Sequence, residues 1–166
     1  MSLRLTLVRH ARAEPARPGV EDVRRELDAQ GRAEAVEIGR RLREQALVPD
    51  RIACSPAARA LTTATLLARE LGVATQEIAR DPRLYLASSE QLLTVVRELG
   101  GNAPHLLLVG HNPGISEFAD ELSTDRTVGS LPTGGVYTQR VAIDDWSALE
   151  WASGMEGMLE FPDRAR

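Results

Sequence analysis

Three short clusters in the sequence hold side chains that could handle a phosphoryl group. Arg9-His10 closes one apolar run, Ser55-Pro56-Ala57-Ala58-Arg59 follows a second, and Gly110-His111 closes a third. Imidazole supplies a nucleophile or a proton carrier, and guanidinium presents paired N–H donors to phosphoryl oxygens. Taken singly, each residue has an ordinary reading: Arg9 and Arg59 as solvated charges, His10 and His111 as polar strand-end or capping residues. Taken together, two imidazoles and two guanidiniums at strand-to-helix junctions describe a pocket for a tetrahedral anion.

The elements that must position these residues follow from periodicity. Leu3 to Val8 alternates and then runs apolar, as a short strand does. Residues 11–26, with Pro15, Pro18 and Gly19, lack a sustained period and read as a surface loop or partly helical lid, the candidate active-site loop. Asp28 to Leu47 places Ala35, Ile38, Leu42 and Ala46 on one helical face. Arg51 to Cys54 is a brief strand, and Ser55-Pro56 reads as an N-cap with proline in the first helical position. Leu61, Ala64, Ala68 and Leu71 continue that helix to Gly72.

Further along, Val73 to Ala79 is weakly strand-like and Glu90 to Leu99 is helical. His105 to Val109 is a continuous apolar strand of the kind covered on both faces, and Asn112-Pro113 signals the next helix start. Val136 to Ile143 and Ala148 to Ala152 read as a hairpin joined through Asp144-Asp145-Trp146, and residues 162–166 as a tail that frays. This alternation predicts an α/β fold within one domain, residues 1–166: a three-layer α/β/α sandwich whose largely parallel central sheet carries helices on both faces. Ligands in such sheets bind outside the carboxyl ends of the strands, where the three clusters fall.

Composition removes several alternatives. All 20 basic side chains are Arg, so Schiff-base chemistry and the lysine of a Walker-type nucleotide loop are excluded. Cys54 stands alone and cannot form an internal disulfide or a thiolate cluster, and with only His10, His105 and His111 an all-histidine metal site would use every imidazole. A metal is therefore not expected. A formal charge of -4 gives no general attraction to nucleic acid or an anionic membrane. Arg4 and Arg9 bracket too short an apolar run for a signal peptide, which suits a cytoplasmic protein. His105, Cys54, Trp146 and Trp151 read as packing residues, and Arg40-Arg41-Leu42-Arg43 as a solvated helix face.

The chain resembles the histidine phosphatase, or phosphoglycerate mutase-like, superfamily, and within it the compact SixA-type phosphohistidine phosphatases. The resemblance rests on Leu7-Val8-Arg9-His10-Ala11-Arg12-Ala13, on Asp22, Arg25, Leu27 and Gly31, on Ser55-Pro56 with Arg59-Ala60 and Thr63-Ala64, on Leu108-Val109-Gly110-His111-Asn112-Pro113, and on Leu131-Pro132-Thr133-Gly134. It implies that His10 is the nucleophile and that Arg9, Arg59 and His111 complete the phosphate pocket, with Arg25 directed toward the same place and no cofactor required. Two departures stand out. Ala11 replaces the glycine of the superfamily's Arg-His-Gly triplet, which would strain a left-handed backbone. Arg83 stands near where larger relatives carry an acidic proton donor. Arg25 and Asp22 are the substrate-binding candidates, and Asp22 and Glu14 in the candidate loop are the proton-donor candidates, each with the ordinary reading of a loop cap or solvated charge.

The function expected from this resemblance is a metal-independent phosphatase working through a phosphohistidine on His10, with a phosphohistidine-bearing phosphotransfer protein as substrate. The alternatives are a small-molecule phosphatase acting on a sugar phosphate, nucleotide or pyrophosphate, and a non-catalytic phosphate-binding module.

Overall fold

In the computed structural model, which describes residues 2–125 and 128–164, the alternating run Leu3–Arg9 forms β1. Its Leu3, Leu5 and Leu7 face one side of the sheet and Val8 the other, because successive strand side chains point to opposite faces. The remaining strands are β2 (Arg51–Cys54), β3 (Ala79–Arg80), β4 (His105–Gly110), β5 (Val136–Val141) and β6 (Gly154–Glu160). They form a mixed sheet in the order β3-β2-β4-β1-β5-β6, parallel from β3 through β1 and antiparallel at β5 and β6. The helices are α1 (Ala29–Glu44), α2 (Ala58–Leu71), α3 (Ser89–Leu99) and α4 (Gly114–Leu122).

Two hydrophobic layers sandwich the sheet. Leu92 and Val96 of α3 and Phe118 and Leu122 of α4 pack on the face carrying Leu5, Leu7, Leu106 and Leu108. Ile38 and Leu42 of α1 and Ala64 and Leu67 of α2 pack on the face carrying Val8, Ile52, Leu107 and Val109. Every residue of β4 is buried, which accounts for its unbroken apolar run. Neighbouring strands β2, β4 and β1 therefore end side by side, and the three polar clusters leave the sheet at one edge.

Local chemistry sets the element ends. The Asp28 carboxylate accepts from the Gly31 N–H at 2.7 Å and caps α1. Gly31 itself lies against the Arg12 carbonyl, where an added Cβ would stand 2.0 Å from the oxygen, so the loop returning from β1 is held directly on the first turn of α1. Gly72 ends α2 in the left-handed region, and Ser88 with Gln91 makes a capping box for α3.

Several local expectations are corrected. α2 starts at Ala58 with Ala57 at its cap position, because Ser55 turns its hydroxyl to the Ala57 N–H and to His111 instead of capping a longer helix. Val73 to Ala79 is mostly a 3-10 turn at Thr75–Glu77, and only Ala79–Arg80 pairs as a strand. Pro113 occupies the cap position of α4, while the Asn112 side chain is held by Ser116 and the Leu131 carbonyl. Ala148 to Ala152 is not a strand: Asp145 caps a 3-10 turn at Trp146–Ala148, and the buried Trp146 donates its indole N–H to the Ala103 carbonyl at 2.8 Å. The antiparallel partner of β5 is Gly154–Glu160.

The tail read as frayed from Pro162 carries contacts as far as Arg164. Arg41 binds the Phe161 carbonyl and Asp163, and Arg164 binds Glu34 and Thr133. Residues 165–166 of that tail lie outside the described residues.

Candidate active site

The chain leaves β1 into His10, whose N–H donates to the Gly110 carbonyl at 3.0 Å and whose carbonyl accepts from Gly134. Only 7% of its surface remains exposed. The imidazole Nδ1 lies 2.8 Å from the Ala11 carbonyl, which can only accept, so Nδ1 carries the proton and Nε2 keeps its lone pair. Burial drives the His10 pKa down to about 4, with the nearby charges of Arg59, Arg9 and Arg25 adding to it against the opposing effect of the Ala11 bond.

Both flanking guanidiniums are anchored through their terminal nitrogens. Arg9 donates from one of them to the Leu131 carbonyl at 3.0 Å. Arg59, in the first turn of α2 and 2% exposed, donates to the Asp22 carbonyl at 2.7 Å and to the Asp22 carboxylate at 2.9 Å. The Nε atoms of both arginines are buried and have no hydrogen-bond partner among the described residues. His111 follows β4 with its ring centroid 5.2 Å from that of His10, and Tyr85 meets it edge-on at 5.5 Å. Its Nε2 lies 2.7 Å from the Ser55 hydroxyl, and its Nδ1 is buried without a partner among the described residues. Burial, then the neighbouring His10 and Arg59, push the His111 pKa down to about 3, so both imidazoles are neutral near pH 7.

The candidate loop reaches this group through its 3-10 turn at Asp22–Arg24. Asp22 accepts from the Tyr85 hydroxyl and from Arg59, and lies 3.3 Å from Arg25. The Tyr85 bond, followed by Arg59, holds its carboxyl down at about 2, against a partial burial that opposes the shift. Asp22 is thus an ionised acceptor in this arrangement, with no proton to give. Arg25 also donates to the Glu14 carbonyl at 3.0 Å.

All six side chains singled out from sequence, His10, Arg9, Arg59, His111, Arg25 and Asp22, line one cleft of about 440 Å³. Arg12, Leu86, Asn112 and Thr133 share its walls. The Glu14 carboxylate pairs with Arg17 and lines a separate groove. Arg83 binds Asp81 and Glu98, so the segment from Asp81 to Tyr85 serves the site through Tyr85. Ala11 is buried beside Leu27 and Ala35 and is absent from the residues of positive φ, so replacing glycine there brings no left-handed strain. Ser55 and Tyr85 were missed as site residues. A serine at a strand end has many ordinary uses, and nothing in the spacing of Tyr85 marks its contact with a loop 63 positions away.

Among the described residues no group of three His, Cys, Asp or Glu side chains is arranged to hold a metal ion. His105 lies at the opposite end of β4, bonded to Thr6 and the Val48 carbonyl, and the buried Cys54 thiol is pushed up to about 12 by desolvation.

A family model described as the histidine phosphatase superfamily (branch 1) matches residues 5–85. An uncharacterized protein of Mycobacterium tuberculosis is 31% identical over 153 residues, covering 86% of this chain and 92% of its own. Among solved structures, a putative phosphohistidine phosphatase SixA from Agrobacterium tumefaciens superposes with a TM-score of 0.75 at 29% identity, covering 82% of this chain and 90% of that one. A putative phosphohistidine phosphatase SixA from Nakamurella multipartitia gives a TM-score of 0.81 at 24% identity over 98% and 97% of the two chains. A mycobacterial glucosyl-3-phosphoglycerate phosphatase shares the fold with a TM-score of 0.68 at 17% identity, covering 99% of this chain and 100% of that one.

Proposed function

The chain belongs to the histidine phosphatase superfamily, and from that premise we propose that it is a phosphatase that forms a covalent phosphohistidine on His10 and removes phosphate from phosphohistidine borne on a protein. The observation that carries this reading is the set of uncommitted nitrogens around one cleft: the His10 Nε2 lone pair, the Nε atoms of Arg9 and Arg59, and the His111 Nδ1. In the reaction this implies, the His10 Nε2 attacks phosphorus in line as the bond to the leaving group breaks. Water then attacks the phosphohistidine, releasing inorganic phosphate and restoring the imidazole. The guanidiniums neutralise charge on the equatorial oxygens, the task that divalent cations perform in other phosphoryl-transfer enzymes.

The leaving group is where Asp22 bears on substrate. An alkoxide needs a proton from the enzyme as it departs, whereas the imidazole of a phosphohistidine takes a proton from water on its free ring nitrogen, for which the reference pKa is ~6.5, and then leaves as a neutral group. An ionised Asp22 bonded to Arg59 and Tyr85 supports a phosphoramidate substrate over an alkyl ester. A cytoplasmic protein and a phosphotransfer-protein partner fit the same reading. No helix is long and apolar enough to cross a membrane among the described residues.

A second reading, a small phosphorylated metabolite as substrate, is favoured by a cavity of about 820 Å³ that shares Asn112 with the cleft and has room for a bulky leaving group. The shared fold with a phosphatase named for glucosyl-3-phosphoglycerate, a small phosphorylated molecule, points the same way. A substrate panel separates the two, run with chelator present to test metal independence. The proposal expects the phosphohistidine-bearing protein to be turned over much faster than sugar phosphates, nucleotides or pyrophosphate, and the reverse order would select the second reading.

A further inference from the structure

The hydrogen bonds around Ser55 fix which nitrogen of His111 carries its proton. Ser55 is fully buried, and its hydroxyl has one proton to donate and lone pairs to accept with. The Ala57 N–H, 3.2 Å away, occupies an acceptor position of Oγ. The other partner of that oxygen is the His111 Nε2 at 2.7 Å. If Nε2 carried the proton, the hydroxyl would accept twice and its own O–H would be left unbonded in the interior, which is costly. The arrangement that satisfies every group has Ser55 O–H donating to Nε2. Neutral His111 must then carry its proton on Nδ1, the nitrogen left without a partner among the described residues.

We propose that Ser55 is a positioning residue that holds His111 as the Nδ1–H tautomer, so that a neutral imidazole offers a hydrogen-bond donor to the phosphoryl oxygens. This rests on the phosphatase reading for its consequence, though not for the tautomer itself. The cleft then contains two neutral imidazoles of the same tautomer used in opposite ways. In His10 the Ala11 carbonyl takes the Nδ1 proton and leaves Nε2 as nucleophile; in His111 the serine caps Nε2 and leaves the Nδ1–H as donor. The departure of Ser55 from helix-capping duty has the same cause, since its hydroxyl is spent on the junction between the ends of β2 and β4.

The test is a long-range nitrogen–proton correlation spectrum of the full chain labelled on its three histidines, assigned by the single variants His10→Asn, His105→Asn and His111→Asn. His10 and His105 serve as internal controls, because the carbonyls of Ala11 and Val48 fix both as Nδ1–H independently of Ser55. The expected wild-type spectrum shows His111 with a protonated Nδ1. Ser55→Ala should shift His111 alone toward the Nε2–H form and lower kcat about tenfold with KM little changed, a smaller loss than deleting a charge-stabilising donor outright. Ser55→Thr, which keeps the hydroxyl, should restore both. A wild-type His111 protonated on Nε2 overturns the proposal even if Ser55→Ala fails to fold, and so does an unchanged His111 tautomer in a folded Ser55→Ala protein. Inactivity of the wild type toward every phosphorylated substrate would instead overturn the phosphatase reading, and the spectrum would still report on Ser55.

Discussion

The depressed pKa of His10 predicts an unusual acid limb for the proposed phosphorylation of this residue. Only the neutral imidazole can attack phosphorus, so the relevant quantity is its neutral fraction. With the ordinary value of ~6.5, about one-tenth of the population is neutral at about pH 5.5. Held at about 4, His10 is instead about 97% neutral at that pH. Single-turnover phosphorylation of His10, followed by rapid mixing and alkaline quench, should therefore run at nearly the same rate at about pH 7.5 and about pH 5.5, and fall only as the pH approaches 4. Because burial leads the shift and the Arg59, Arg9 and Arg25 charges follow, Arg59→Gln should move the midpoint upward by only part of the difference from the ordinary value. Direct titration of the imidazole by magnetic resonance separates this group from any ionisation of the substrate. A tenfold loss of rate between about pH 7.5 and about pH 5.5 that tracks the His10 titration would refute the reasoning, because it would mean the cleft does not disfavour the charged imidazole.

Arg59→Ala removes a buried Nε donor and both Arg59 bonds to Asp22, and should lower turnover on the order of a hundredfold or more, with Arg59→Lys a poor rescue because an ammonium cannot engage Asp22 twice and still face the cleft; steady-state kinetics decide both. His105, held at about 4 chiefly by burial, takes up protons more readily in the unfolded chain, so its contribution to stability is present above the unfolded value of ~6.5 and lost as the pH falls toward 4. For this residue alone that is about 2 kcal/mol between about pH 7 and about pH 5, read as the difference in urea-unfolding free energy, and His105→Gln should flatten that dependence.

What could be read from sequence, and what could not, divides along physical lines. Leu3–Arg9 and His105–Gly110 were legible because each has neighbouring strands on both sides and at least one covered face, so patterning and burial agree. The cleft was legible for the same reason: strand ends mark the sheet's carboxyl edge, and His10, Arg59 and His111 fall there whatever the loops do. β6 was not legible. It lies at the sheet's edge with Met155, Met158 and Leu159 exposed, two glycines within it and a bulge in its pairing, so neither burial nor alternation marks it. The Ala148 to Ala152 segment looked like a strand because four of its five residues, Ala148, Leu149, Trp151 and Ala152, are apolar around a single Glu150. The burial of Trp146 against Gly100 and the Asp145 cap fold the preceding residues into a turn instead. Asp22 could be suspected but not placed, since its partners Arg59 and Tyr85 come from elements 37 and 63 positions away.

In the proposed reaction His10 carries the phosphoryl group between substrate and water. The most direct measurement mixes a radiolabelled phosphohistidine-bearing protein with the wild type and with His10→Ala, quenches in alkali within the first turnover, and locates the label by peptide mapping. The expected result is acid-labile, base-stable label on His10 of the wild type, and neither label nor turnover in the variant. Turnover by the wild type with no label at any quench time, or undiminished turnover by His10→Ala, would contradict it.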